Sequence, residues 1–209
     1  KGRIKMRKIV LMLVVVFVVS NVALATPIPS NSTSQTWYFN SDGNPAVPEI
    51  LDNPNGPVQA DILRSGTTGP DPTWADGVWS GETVKFLTII PNTDNTAPDS
   101  YKDMVVEIGF RGIIALCQVK VGDTPYSRTS RATSSYVDAA DVTWTKVIDT
   151  YHIEPNPTSE YLCYGLNDLE NGTTQYLDYI IIDTICVPEP LTICLLGLGG
   201  LIVGRKKRR

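Results

Sequence analysis

Apolar and polar side chains alternate in short runs along the second half of the chain. Residues 83–90, 104–110, 113–121, 142–153, 160–166 and 176–186 are rich in β-branched and aromatic side chains and alternate at least in part. A period of two is the pattern of strands with one face buried. In 142–153, Val142, Trp144, Lys146 and Ile148 share one face, and Thr143, Thr145, Val147 and Asp149 share the other. Pro91-Asn92, Arg111-Gly112, Glu154-Pro155-Asn156-Pro157 and Asn171-Gly172 separate these runs. The stretch 129–135 is polar throughout and reads as a loop.

Earlier in the chain the signal is thinner. Trp37-Tyr38-Phe39 reads as a first strand, preceded by a flexible leader over 26–36 that is rich in Pro, Ser, Thr and Asn. Residues 40–81 are crowded with Asp, Asn, Pro and Gly, which leaves long loops and short strands near 58–63 and 77–79. No part of residues 26–186 repeats at 3.6 residues. Many short strands with turn residues between them predict an all-β domain over 37–186: a two-sheet antiparallel β-sandwich, jelly-roll-like, with long loops.

The two ends follow other patterns. Lys5, Arg7 and Lys8 precede an uninterrupted apolar run over 9–19, and Ala23-Leu24-Ala25 supplies an A-x-A cleavage site. Residues 1–25 are therefore expected to be a signal peptide read by the Sec machinery and signal peptidase, with Thr26 opening the mature chain. Met6 is a candidate start. At the other end, Pro188-Glu189-Pro190 is followed by apolar residues over 191–203 and by Arg205, Lys206, Lys207, Arg208 and Arg209. Thirteen residues span about 20 Å as a helix, short of a hydrocarbon core of about 30 Å. The basic cluster is expected on the cytoplasmic side, which places residues 26–190 across the membrane.

The order Pro188-Glu189-Pro190, short apolar segment, basic terminus, behind an N-terminal signal peptide, resembles the PEP-CTERM sorting signal. The resemblance covers residues 187–209. It implies processing by an exosortase, a membrane enzyme of cysteine transpeptidase type. It also implies transient residence in the inner membrane of a Gram-negative-type bacterium, followed by delivery to the cell surface or extracellular matrix. Pro188, Glu189 and Pro190 would be recognition residues, 191–203 a temporary span and 205–209 a cytoplasmic stop. Ile90-Pro91-Asn92, Lys102 and Ile182-Asp183-Thr184-Ile185-Cys186 resemble a planctomycete-type group of such proteins, whose function is unassigned.

Charge separates the domain from its ends. The chain has 18 Lys+Arg and 22 Asp+Glu, but ten of the basic residues lie before Ile9 or after Gly204. Residues 26–190 keep 8 basic and 22 acidic side chains, a net of −14. Such a surface repels phosphate backbones, which excludes nucleic acid as a partner.

Candidate chemistry is sparse. His152 is the only histidine; no G-x-S-x-G and no C-x-x-C occurs, and the scattered glutamates suggest no pair. A non-catalytic protein is expected, with a secreted hydrolase as the remote reading. Asp42, Asp52, Asp71, Asp76, Asp94 and Asp99 lie near other oxygen-bearing side chains and are candidate calcium ligands, although no D-x-D-x-D-G loop is present. Among 4 tryptophans and 9 tyrosines, Trp74 and Trp79 sit in a Gly/Asp-rich stretch and are the candidate sugar-stacking pair, while Trp37 and Trp144 are expected in the core. This is the basis of a second reading, a carbohydrate-binding module for extracellular polysaccharide. Cys163 and Cys186 are a candidate disulfide if their strands are neighbours, with Cys117 competing for either.

Overall fold

The computed structural model describes residues 32–64, 69–91, 101–168 and 171–187. The signal peptide over 1–25, the motif 188–190, the span 191–203 and the tail 205–209 lie outside the described residues, as do Asp94 and Asp99. Among the described residues there are thirteen strands and no helix. They form two antiparallel sheets, one of eight strands and one of five.

The eight-stranded sheet has the order β10 (Arg128–Val137), β11 (Thr143–Ile153), β7 (Tyr101–Arg111), β13 (Gln175–Val187), β1 (Ser32–Trp37), β2 (Ile50–Asp52). A hairpin of β4 (Thr73–Ala75) and β5 (Val78–Gly81) joins it through the start of β13. The five-stranded sheet has the order β3 (Ala60–Leu63), β6 (Thr83–Pro91), β12 (Ser159–Asn167), β8 (Ile114–Val121), β9 (Thr124–Tyr126). From β6 the chain crosses repeatedly between sheets, so β6, β8 and β12 lie in one and β7, β11 and β13 in the other.

Alternation drives the assembly. In β7, Lys102, Met104, Val106, Ile108 and Phe110 are buried while Asp103, Val105 and Glu107 are half-buried on the opposite face. Register carries that inner row across the sheet: Val106 lies opposite Ile182 on one side and Asp149 on the other. The facing row of the second sheet is Val84, Phe86, Thr88 and Ile90 of β6 with Glu160, Leu162, Tyr164 and Leu166 of β12. The two rows close into one core with Trp37 at its centre, edge-on to Phe86 at 5.1 Å, its indole N–H donating to the Ala46 carbonyl.

Three expectations change. β1 opens at Ser32, so residues 32–36 of the expected leader belong to the sheet; Thr33, Gln35 and Trp37 face inward and the backbone pairs with β13 on one side and β2 on the other. Residues 129–135 are not a loop but most of β10, paired with β11 from Arg128 to Val137. Most of β10 is water-exposed, so apolar alternation is missing and backbone pairing alone defines the strand. The stretch around Trp74 and Trp79 is a hairpin: Asp76 and Gly77 both have positive φ, 49° and 83°, in the two-residue turn that D-G favours.

Candidate functional site

The outer, water-facing side of the eight-stranded sheet carries a band of aromatic rings. Register places Tyr136 of β10 opposite Trp144 of β11, and Gly109 of β7 opposite Tyr179 of β13. Tyr38 follows the end of β1. The ring centroids run Tyr38–Tyr179 at 6.4 Å, Tyr179–Tyr136 at 5.9 Å and Tyr136–Trp144 at 6.4 Å, the last pair stacked at 12°. The Arg111 guanidinium lies 4.0 Å from the Tyr176 ring centroid and 5.2 Å from that of Trp144, within cation–π range. The band crosses from β10 to the end of β1.

Gly109 makes the middle of this band possible. A Cβ there would overlap the Tyr179 ring and the Tyr136 hydroxyl. Without it both rings lean over the β7 backbone and close the gap between β10 and β13.

Three polar tips in the band have carboxylate acceptors. The Tyr179 hydroxyl donates to Glu107 Oε1 at 2.7 Å, the Tyr136 hydroxyl to Asp178 Oδ2, and Trp144 Nε1 to Asp138 Oδ2 at 2.8 Å. Asp178 is the extra residue where the β13–β7 register shifts between Leu177 and Tyr179, and that bulge aims its side chain outward. Lys146 pairs with Glu107 at 3.6 Å. Burial raises the Tyr136 and Tyr179 phenols, with the adjacent carboxylates adding to the effect. Burial also raises the Asp178 carboxyl, against the pull of the Tyr136 hydroxyl. The Trp144 N–H and two backbone N–H groups hold Asp138 low.

Between the sheets the polar groups serve the fold. Lys102 and Glu160, both wholly buried, pair across the two sheets, and burial raises the Glu160 carboxyl despite that partner. Asp149 accepts a two-pronged contact from Arg131, with Nε and Nη2 at 2.7 and 2.6 Å, and a bond from the Tyr164 hydroxyl at 2.9 Å. Arg131 also reaches Cys117 Sγ at 2.9 Å. Burial raises the Cys117 thiol and pushes Tyr151 up to about 12.

The expected site residues are scattered. Trp79 is 5% exposed within the core, and Trp74 packs against the core with its indole N–H bonded to the Phe39 carbonyl at 2.7 Å. Pairing opposite each other in the hairpin puts both on one face, and that face packs on the core, so the pair offers no open platform. Trp37 is in the core as expected. Trp144 is buried as expected, yet on the outer face, covered by Tyr136 and Arg111.

Asp42, Asp52, Asp71 and Asp76 do not converge. Asp52 sits on the edge strand opposite Ser34, Asp71 lies 4.0 Å from Arg64, and Asp76 forms the hairpin turn. Among the described residues no three His, Cys, Asp or Glu side chains gather as a metal site.

No disulfide joins Cys163 to Cys186: Cys163 alternates with the inward Leu162 and Tyr164 and so faces away from the larger sheet, whereas Cys186 continues the inward row of Ile182 and Thr184. Cys186 lies 3.6 Å from Asn156 Oδ1 instead. The His152 ring packs tilted against Tyr101, centroids 4.5 Å apart, and contacts Asp103 Oδ1 at 2.8 Å on the outer face. A shallow pocket of about 360 Å³ lies on the five-stranded sheet, lined by residues including Ile89, Lys120 and Tyr161.

Sequence reasoning missed the band because its members are spread from residue 38 to residue 179. The available signal was tyrosine and tryptophan at outward positions of β10, β11 and β13.

No family model and no curated protein matches the chain. Among solved structures, the enzymatically active domain of tailspike protein 4 from bacteriophage CBA120 aligns with 75% of this chain at 10% identity and a TM-score of 0.20. This chain spans 19% of that one, and a likeness of this size carries no argument.

Proposed function

We propose that the chain is an exported, non-catalytic surface or matrix protein: a β-sandwich handed over at the membrane through its C-terminal sorting signal by an exosortase. The observation that supports this reading is where the signal attaches. β13 ends at Val187, one residue before Pro188, and it is an interior strand of the larger sheet. It pairs with β7 along nearly its whole length on one edge, and with β5 and then β1 on the other. A tether pulling on residue 188 therefore loads a strand bonded on both sides rather than a fraying edge. The alternation of the chain between sheets, with first and last strands β1 and β13 as neighbours, supports the jelly-roll-like reading.

The test is made in cells. Pro188→Ala with Glu189→Ala should block processing and hold the protein in the inner membrane. Unchanged processing and surface delivery would defeat the sorting reading.

A further inference from the structure

We propose that the aromatic band on the outer face of the eight-stranded sheet is a binding surface for neutral polysaccharide. Pyranose rings present two kinds of surface: axial C–H faces, which lie on aromatic rings, and equatorial hydroxyls, which need partners in the plane. The band supplies both. Tyr38, Tyr179 and Tyr136 give a run of neighbouring rings across the strands, and Trp144, 5% exposed, stacks on Tyr136 and supports it without facing the ligand. Glu107, Asp138 and Asp178 stand beside them, each already accepting from one ring tip and each a carboxylate with further lone pairs to accept from a sugar hydroxyl. Arg111 adds donors over Tyr176.

The surface is built rather than incidental. Gly109 removes the one side chain that would separate Tyr136 from Tyr179. The β13 bulge turns Asp178 outward to meet the Tyr136 hydroxyl. The hydrogen bonds and the stacking fix ring orientation before any ligand arrives, which lowers the ordering cost of binding. Tyr38, at 44% exposure, is the most open ring and marks one end of the band.

Charge selects the class. Three carboxylates face two cations, Arg111 and Lys146, and residues 26–190 carry a net −14. Uronic-acid and sulfated chains are repelled by that field, and neutral hexose chains are not. Trp74 and Trp79 take no part, since the hairpin packs them inward.

The test is affinity electrophoresis of the full chain in mild detergent through gels holding a neutral glucan, mannan or galactan, or an anionic polyuronate. Retardation by at least one neutral polysaccharide and none by the polyuronate is expected. Tyr38→Ala and Tyr179→Ala should each weaken that retardation by about tenfold, and Ile89→Ser on the other sheet should leave it unchanged. Tyr38→Ala alters an exposed ring, so it reports on binding without endangering the fold. No retardation by any neutral polysaccharide overturns the proposal. So does retardation of both tyrosine variants equal to that of the parent, or preference for the polyuronate. Self-association of the chain that disappears in Tyr38→Ala would instead assign the band to a second copy. The result is independent of sorting, because it is read on purified protein.

Discussion

On the eight-stranded sheet the outer face carries rings tied to carboxylates: Tyr179 to Glu107, Tyr136 to Asp178, Trp144 to Asp138. On the five-stranded sheet the outward row, set by the register of β6, β12 and β8, is Lys85, Leu87 and Ile89 with Leu116, Gln118 and Lys120. Both faces descend from the same alternation, and both contain apolar area exposed to water. They differ in how much of that area is organised. Ile89 is 58% exposed, whereas Trp144, also on an outer face, is 5% exposed because neighbouring side chains cover it. A water-facing surface that packs like a core is unusual for solubility alone and suits a surface that must hold its shape for a ligand.

Substitutions break this contrast in graded steps. Trp144→Ala should cost about 3–5 kcal/mol in denaturant unfolding, the range for a buried aromatic, although the residue faces outward. A cost under about 0.5 kcal/mol would mean that the band is ordinary surface. Gly109→Val should cost about 1–3 kcal/mol by forcing Tyr136 and Tyr179 off the β7 backbone, and polysaccharide binding should fall with it.

Asp178→Asn sharpens the comparison through pH. The folded Asp178 carboxyl is raised by burial, so its ionisation is disfavoured in the folded state. Its contribution to stability is best below the ordinary carboxylate pKa of about 3.9 and is lost as pH rises through the folded value. An asparagine keeps an acceptor for the Tyr136 hydroxyl without the charge. The variant should melt higher than the parent at pH 7, and the gain should vanish below the carboxylate range. Melting curves across pH check this; a lower midpoint at pH 7 would contradict it. The smallest effect is expected on the other sheet, where Ile89→Ser should stay within about 0.5 kcal/mol of the parent.

Much of the fold was legible in the sequence. The alternation of 83–90, 104–110, 142–153 and 176–186 located β6, β7, β11 and β13 to within a few residues. It also divided β11 into its two faces correctly. What alternation could not show is a strand without a buried face, which is why β10 read as loop. Nor could it say which face of β11 turns inward: Val147, Asp149 and Tyr151 do, while Trp144 and Ile148 face out. An aromatic residue weighs toward the core in any reading of hydrophobicity, and here Trp144 is buried on the wrong side of that expectation. The candidate site was less legible still. Its rings are brought together by register between β10, β11, β7 and β13, and register is a tertiary fact. Asp76-Gly77 was the exception: a local turn signal that would have identified the hairpin and set Trp74 opposite Trp79 on one of its faces.

Ligand contact with the aromatic band is read most directly on the rings themselves. The full chain in a small micelle, with isotope-labelled aromatic residues, is titrated with the neutral oligosaccharide of whichever polysaccharide retards it. Ring-proton shifts are expected at Tyr38, Tyr136 and Tyr179, with a shift of the Gly109 amide, saturating together. Shifts centred instead on Trp74 and Trp79, or on Tyr161 at the pocket of the five-stranded sheet, would contradict it.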